Sequence, residues 1–488
     1  MRTLIAGGVV VTAADVLTAD VLVDREQIAA VGLGLGASAE RVIDAAGRYV
    51  IPGGVDVHTH MQLATSGTVA CDDFASGTAA AAWGGTTTIV DYAGHDRGEP
   101  LLSGLARWQA KAAGAAHIDY GFHMMVSQVD DRVLAEFAGL AAAGVSSVKL
   151  FMAYPGVYMI DDAAFFRALR RAGELGLLAA VHAENGGPIE VLRAEYVASG
   201  LTGPAYHARS RPALLEGEAT ARAIALAELA GAPVYIAHLS AAEALAAVHV
   251  ARDRGRPVYA ETCPHYLYLD ESVLSGPEGA RYVCSPPLRQ AGTPDLLWQG
   301  LRRGDLDVVA TDHCPFTTSQ KSRGEADFTQ IPNGLNGVEE RLALLHEGVC
   351  RGEISLTRWV DLAATAPARL FGLYPAKGTI AAGADADLVI FDPAATRSLS
   401  AATHHGASDY SVYEGLTVHG WPELVMQRGQ VLVDADGFHG RPGAGRFLAR
   451  GMPPLLSAGS PVPVRRRLRR SAHRPTFWAC GNGHLTPG

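Results

Sequence analysis

The chain carries two hydrophobic textures. At its start, LIAGGVVVTAADVLTADVLVDREQIAAVG alternates apolar and polar positions with the period of half-buried strands, broken by Gly-rich turns. The texture returns from Lys377 in KGTIAAGADADLVIFDP and again in LVMQRGQVLVDADG. Between these ends, short apolar runs are separated by stretches of helical period such as AAFFRALRRAGELG and GEATARAIALAELAG. Eight of the runs read as strands: 55–60, 86–92, 118–126, 147–152, 178–182, 234–238, 258–262 and 308–311. Strands alternating with helices predict a parallel sheet, and eight of them a closed TIM-like (β/α)8 barrel. A doubly wound sheet is the runner-up, but no G-x-G-x-x-G follows an early strand. The flanking β segments are expected to pair into a small β-sandwich. The expected division is 1–50 and 375–452 for the sandwich, 51–374 for the barrel, and 453–488 for a tail.

Composition narrows the class. At 488 residues, 48% hydrophobic and 19% charged, the chain can bury a large core, which argues against disorder and against a disulfide scaffold. No run of about 18 apolar residues predicts a membrane span. The N-terminus lacks the apolar stretch of a signal peptide. Six cysteines without paired spacing point to free thiols in a reducing cytoplasm. Six of the 41 basic residues and none of the 50 acidic ones lie from Pro453 onward, so the remainder carries −15. That body is too acidic for a nucleic-acid surface. The RRRLRR tail reads as a disordered extension.

Chemistry in a barrel sits where its strands end. The first run closes on Asp56-Val57-His58-Thr59-His60, whose histidines at i and i+2 share a face and can reach one metal. Alone, H-x-H is a weak signal. The fifth run, however, ends in His182, the sixth in His238 and the eighth in Asp312-His313. Imidazole suits zinc, and an aspartate can serve as ligand or base.

The fourth run adds Lys149, inside the apolar SSVKLFM of a chain with 37 arginines and four lysines. Burying an ammonium is costly and lowers its pKa. A neutral lysine amine can take up carbon dioxide to form a carbamate, a two-oxygen anion able to bridge two metals. Arginine stays protonated and cannot readily do so.

With these residues in view, the chain resembles the cyclic amidohydrolases, most closely the dihydropyrimidinase/hydantoinase family. The resemblance runs from Leu4 to Gly451 through PGGVDVHTHMQL, FASGTAAAAWGGTTTIVDY, SVKLFMAY, AVHAEN, IAHLS, ETCPHYLYL, CSPPLR, ATDHCPF and PNGLNGVEER. It implies a binuclear zinc centre, though manganese or cobalt also suits a carboxylate-bridged site. His58, His60 and Asp312 would hold the buried ion and His182 and His238 the exposed one, with N6-carboxylated Lys149 and a hydroxide bridging both. The hydroxide would open a cyclic amide, Asp312 would shuttle the proton, and Tyr154 would hydrogen-bond the oxyanion. Ser285 and Asn333 would hold the ureide edge of the substrate. His265 and His313 are read as supporting residues. The implied products are N-carbamoyl amino acids from 5,6-dihydropyrimidines or 5-substituted hydantoins, and the implied assembly is a homotetramer.

The residues after H-x-H divide the family. Dihydroorotase-like relatives carry Arg where this chain has Gln62, and allantoinase-like relatives read H-x-H-x-N-E-P. This chain reads HTHMQLAT, close to the hydantoinase-like HTHMQLPF until Ala64 and Thr65 replace a proline and a bulky apolar residue. Leu63, Thr65, Phe151 and Tyr158 are expected to line the pocket for the exocyclic substituent. An allantoinase-like activity and a non-catalytic scaffold of this fold are the competing readings.

Overall fold

The computed structural model describes residues 2–451, so the Arg-rich tail lies outside the described residues. Eight parallel strands form the central sheet: β1 (Gly54–Thr59), β2 (Thr86–Ala93), β3 (Asp119–Met125), β4 (Ser147–Phe151), β5 (Leu178–His182), β6 (Val234–Ile236), β7 (Val258–Thr262) and β8 (Val308–Val309). The ring closes between first and last: the His60 amide donates to the His313 carbonyl at 2.8 Å, and the Thr311 hydroxyl donates to Asp56 at 2.6 Å. Every predicted strand is present. Helices between them bury one face against the sheet, as in Asp162–Glu174, where Phe165, Ala168, Leu169 and Ala172 point inward.

The boundaries differ where they matter most. β1 stops at Thr59, β6 at Ile236 and β8 at Val309, so His60, His238 and Asp312 stand in the loops just beyond their strands. His238 (φ 39°), Asp312 (φ 50°) and Tyr154 (φ 66°) occupy the left-handed region, which side-chain-bearing residues seldom adopt. The expected strands run on into His60 and His238, and to Thr311 beside Asp312, because the pattern registers apolar periodicity and is blind to a reversal of backbone hand.

Both ends of the chain build one nine-stranded sheet around its own core of Ile5, Val10, Val21, Val50, Leu388, Ile390 and Met426. The halves join where Tyr49–Pro52 pairs antiparallel with Leu388–Ser398. The sheet then curls back, with the Ile28 amide donating to Ala384 O and the Ala386 amide to Glu26 O. Buried Lys377 fastens this sheet to the barrel, donating to Asp119 of β3 at 2.7 Å and to Asp387 at 2.9 Å. Arg341, of the PNGLNGVEER segment, donates to Val309 O, Ala363 O and the Thr86 hydroxyl, each at 3.1 Å. It thereby ties β8, β2 and the Asp361–Thr365 helix together through one buried guanidinium. No helix among the described residues is long and apolar enough to cross a membrane.

Candidate active site

At the C-terminal face of the barrel, His58, His60 and Asp312 converge: Asp312 Oδ1 lies 3.0 Å from His58 Nε2 and 3.1 Å from His60 Nε2. His58 Nε2 makes no hydrogen bond despite that distance, and buried His60 Nδ1 has no partner among the described residues. One ligand atom from each of the three residues lies within 4.8 Å of the other two, an arrangement able to hold a shared cation. Burial opposes the charge of Asp312, but the two histidines hold its carboxyl well below the usual range.

Beside this trio stand His182, His238 and Lys149. His182 Nε2 lies 2.8 Å from Glu184, so it is assigned the proton and donates; Nδ1 is left as a lone pair facing His238 Nε2 at 3.0 Å. Two imidazoles so placed suit a cation between them. Lys149 Nζ sits 3.5 Å from the same His238 nitrogen, and its side chain is almost wholly buried. Desolvation pushes its ammonium down to about 8 against the opposing pull of Glu261 and Asp312, which leaves a fraction of neutral amine near neutral pH. Four histidines in two pairs, an aspartate and a buried lysine make a donor set whose chemistry fits divalent ions.

Several supporting residues escaped the sequence reading. Glu261, at the end of β7, accepts from His58 Nδ1, from the His238 amide at 3.0 Å and from the Tyr235 hydroxyl at 2.7 Å, thereby tying one histidine of each pair to the same carboxylate. Glu184 bridges His182 to Arg211, whose Nη1 donates to it at 2.6 Å. Burial opposes the ionised form of Glu184, yet Arg211 and His182 outweigh it and hold the carboxyl down to about 2. The Arg211 guanidinium also lies 5.2 Å from the Tyr154 ring centroid. AVHAEN and ETCPHYLYL contain the two glutamates, but nothing local marks them; the His58–Glu261 contact joins residues 203 apart.

A cavity of about 310 Å³ opens onto these groups and is lined by Leu63, Thr65, Phe151, Tyr154, Tyr158, Ser285 and Asn333. The seven residues expected around a substrate are thus in one place. Ala64 is not: it points to solvent, so of the two departures from the family pattern only Thr65 faces the cavity. Phe151 and Tyr158 stack with centroids 4.9 Å apart. Burial raises the Tyr154 hydroxyl to about 12, keeping it protonated and able to donate. Asn333 Nδ2 donates to Ser285 Oγ at 3.1 Å, joining the two halves of the expected ureide clamp. His313 stands outside the cavity lining, its Nε2 paired with Asp72 at 2.9 Å, and both ring nitrogens of buried His265 lack a hydrogen-bond partner among the described residues. Cys71, Cys263, Cys284 and Cys314 form no disulfide among the described residues, and Cys314 lines the cavity.

A closed parallel barrel with this histidine, aspartate and lysine cluster at its mouth defines a hydrolase architecture, and the chain belongs to the amidohydrolase family, whose model matches residues 49–432. It is 53% identical to a D-hydantoinase of Streptomyces coelicolor, over 92% of this chain and 98% of that one. It is 48% identical to a D-hydantoinase of Geobacillus stearothermophilus, over 95% and 99% of the two chains. Among solved structures, a dihydropyrimidinase from Brevibacillus agri superposes with a TM-score of 0.92 at 49% identity, covering 93% of this chain and 99% of that one.

Proposed function

We propose that this enzyme hydrolyses the cyclic amide of 5-substituted hydantoins and of 5,6-dihydropyrimidines to N-carbamoyl amino acids. The observation that carries the reading is the convergence of six residues from five strands and the loops just beyond them, His58, His60, Lys149, His182, His238 and Asp312, beside a cavity sized for a small ring. His58, His60 and Asp312 would hold one divalent ion, His182 and His238 the other, and carboxylated Lys149 would bridge them. Zinc suits this ligand set best. When loaded, such a centre supplies hydroxide near neutral pH and polarises a carbonyl.

The remaining steps belong to the chain's own side chains. Asp312 accepts the proton of the attacking water and returns it to the leaving ring nitrogen. Tyr154 donates its hydroxyl to the oxygen that gains charge as the carbonyl becomes tetrahedral. Ser285 and Asn333 hold the alternating N–H and C=O groups of the ureide edge, and the cavity walls shield the reacting atoms from bulk water. A homotetramer in the cytoplasm completes the reading, supported by the resemblance and by cysteine usage.

The test is ring opening of dihydrouracil and of 5-(4-hydroxyphenyl)hydantoin, followed by ultraviolet absorbance on enzyme supplied with zinc and bicarbonate. Hydrolysis of either supports the assignment, and the ratio of the two chooses between pyrimidine catabolism and hydantoin hydrolysis. Failure on both, with two metals bound, would place the substrate class elsewhere.

The cavity wall sets a second expectation. Thr65 on the Ala64–Thr65 strand replaces a bulky apolar side chain with a small polar one, leaving room for a large or polar substituent. Thr65→Leu should lower kcat/KM for 5-(4-hydroxyphenyl)hydantoin relative to 5-methylhydantoin by about tenfold, the usual scale for reshaping an apolar pocket. An unchanged ratio would remove Thr65 from the specificity wall.

A further inference from the structure

Lys321 is 1% exposed, in a chain that uses arginine for nearly all its positive charge. Its ammonium donates to Val283 O and to Pro332 O, each at 2.8 Å. Those carbonyls lie two residues before Ser285 and one residue before Asn333. The two backbones are otherwise joined by the Gly334 amide, which donates to Val283 O at 3.1 Å, and by the Asn333–Ser285 side-chain bond. Gly334 has φ +149°, and a Cβ there would collide with the Cys314 carbonyl, so the segment carrying Asn333 is packed directly against the Cys314 backbone.

The neighbouring residue extends the same connection. Gln320 Nε2 donates to the Thr68 hydroxyl at 2.7 Å and to Val69 O at 2.8 Å. Thr68–Val69 pairs with Ala64–Thr65, the hairpin that carries the substituent wall. The turn holding both residues is anchored by Asp409, which accepts from the Thr318 amide at 2.7 Å. One short turn therefore reaches the two parts of the cavity that would hold opposite sides of a substrate ring.

We infer that Lys321 is a positioning residue that fixes the separation of the Ser285 and Asn333 backbones, and so the fit of the substrate's ureide edge. This rests on the functional reading above. A compact amine suits this place, because two converging carbonyls need two N–H groups on one small atom, whereas a planar guanidinium presents five donors in a wide fork. Burial pushes the Lys321 ammonium down to about 7. Its neutral form still carries two hydrogens for the two carbonyls, so the clamp persists in either protonation state.

The experiment compares the zinc-loaded full-length enzyme with Lys321→Met, Lys321→Gln and Asn333→Ala, using hydantoin and dihydrouracil as substrates. Lys321→Met leaves two buried carbonyls without the ammonium and should raise KM by about tenfold or more, while kcat changes by no more than about threefold. Lys321→Gln, which keeps two N–H donors on a shorter stem, should recover part of that loss and also serves if the Met variant does not fold. Because Lys321 acts through the clamp, its effect on KM should shrink in the Asn333→Ala background. An active wild type with unchanged KM in both Lys321 variants overturns the positioning role alone. So does a loss falling equally on kcat and metal content, which would mark a purely structural residue. A wild type that opens neither ring overturns the functional reading and the clamp with it.

Discussion

Replacing Lys149 with alanine should lower kcat/KM by on the order of 10⁴-fold and reduce bound metal below two ions per chain. The expectation follows from what only lysine can do at this position. Its side chain is buried in β4 with the nitrogen 3.5 Å from His238 Nε2, too close to a candidate ligand to be a bystander. Under the proposed function, a carbamate there would replace a cation by an anion, turning an electrostatic liability into a ligand for two ions. Lys149→Arg should be as inactive as the alanine variant, because guanidinium keeps its charge and forms no carbamate. A small carboxylic acid such as propionate should restore part of the activity and metal content of Lys149→Ala by filling the vacated space with a two-oxygen anion. Metal analysis and kcat/KM with and without added propionate check both statements. A Lys149→Arg enzyme with near wild-type metal and turnover would contradict the bridging role.

Asp312→Asn should reduce kcat by about 10³- to 10⁴-fold with little change in KM, the range expected when a positioned acid–base group is lost. Asparagine matches aspartate in size and, like it, tolerates the left-handed backbone that residue 312 adopts at φ 50°, so the variant should fold. What it lacks is a carboxylate able to take a proton and return it. His58 and His60, 3.0 and 3.1 Å from this oxygen, would still bind a cation beside the carboxamide. Metal content should therefore fall less than turnover. Steady-state kinetics alongside metal analysis separates the two effects, and equal losses of metal and kcat would reduce Asp312 to a ligand without a proton-transfer role.

The barrel was legible because its strands are apolar runs bounded by turns, and burial on both faces of a parallel sheet requires such runs. The candidate ligands were legible because histidine, aspartate and a rare lysine are costly at buried strand ends unless they are paired or bind something there. The turn beyond each strand was not: His238 and Asp312 adopt left-handed backbone, and neither residue type announces it. The charged supports were also hidden. Glu261, Glu184 and Arg211 look like any surface-forming residues until the fold buries them against His58, His182 and Tyr154. Lys321 is the intermediate case, since the scarcity of lysine singled out its type while its carbonyl partners, 38 and 11 residues away, needed the fold. Leu63 and Thr65 were legible as cavity-lining positions, and Ala64 between them faces solvent, as alternation along a short hairpin requires.

The central claim is that ring opening runs on two ions held by these six residues. Its most direct test is to titrate metal-depleted enzyme with zinc in bicarbonate buffer while following hydrolysis of 5-(4-hydroxyphenyl)hydantoin. Activity should be negligible without metal and should rise to a plateau at two zinc ions per chain. Full activity at one ion, or turnover that persists without any, would contradict it.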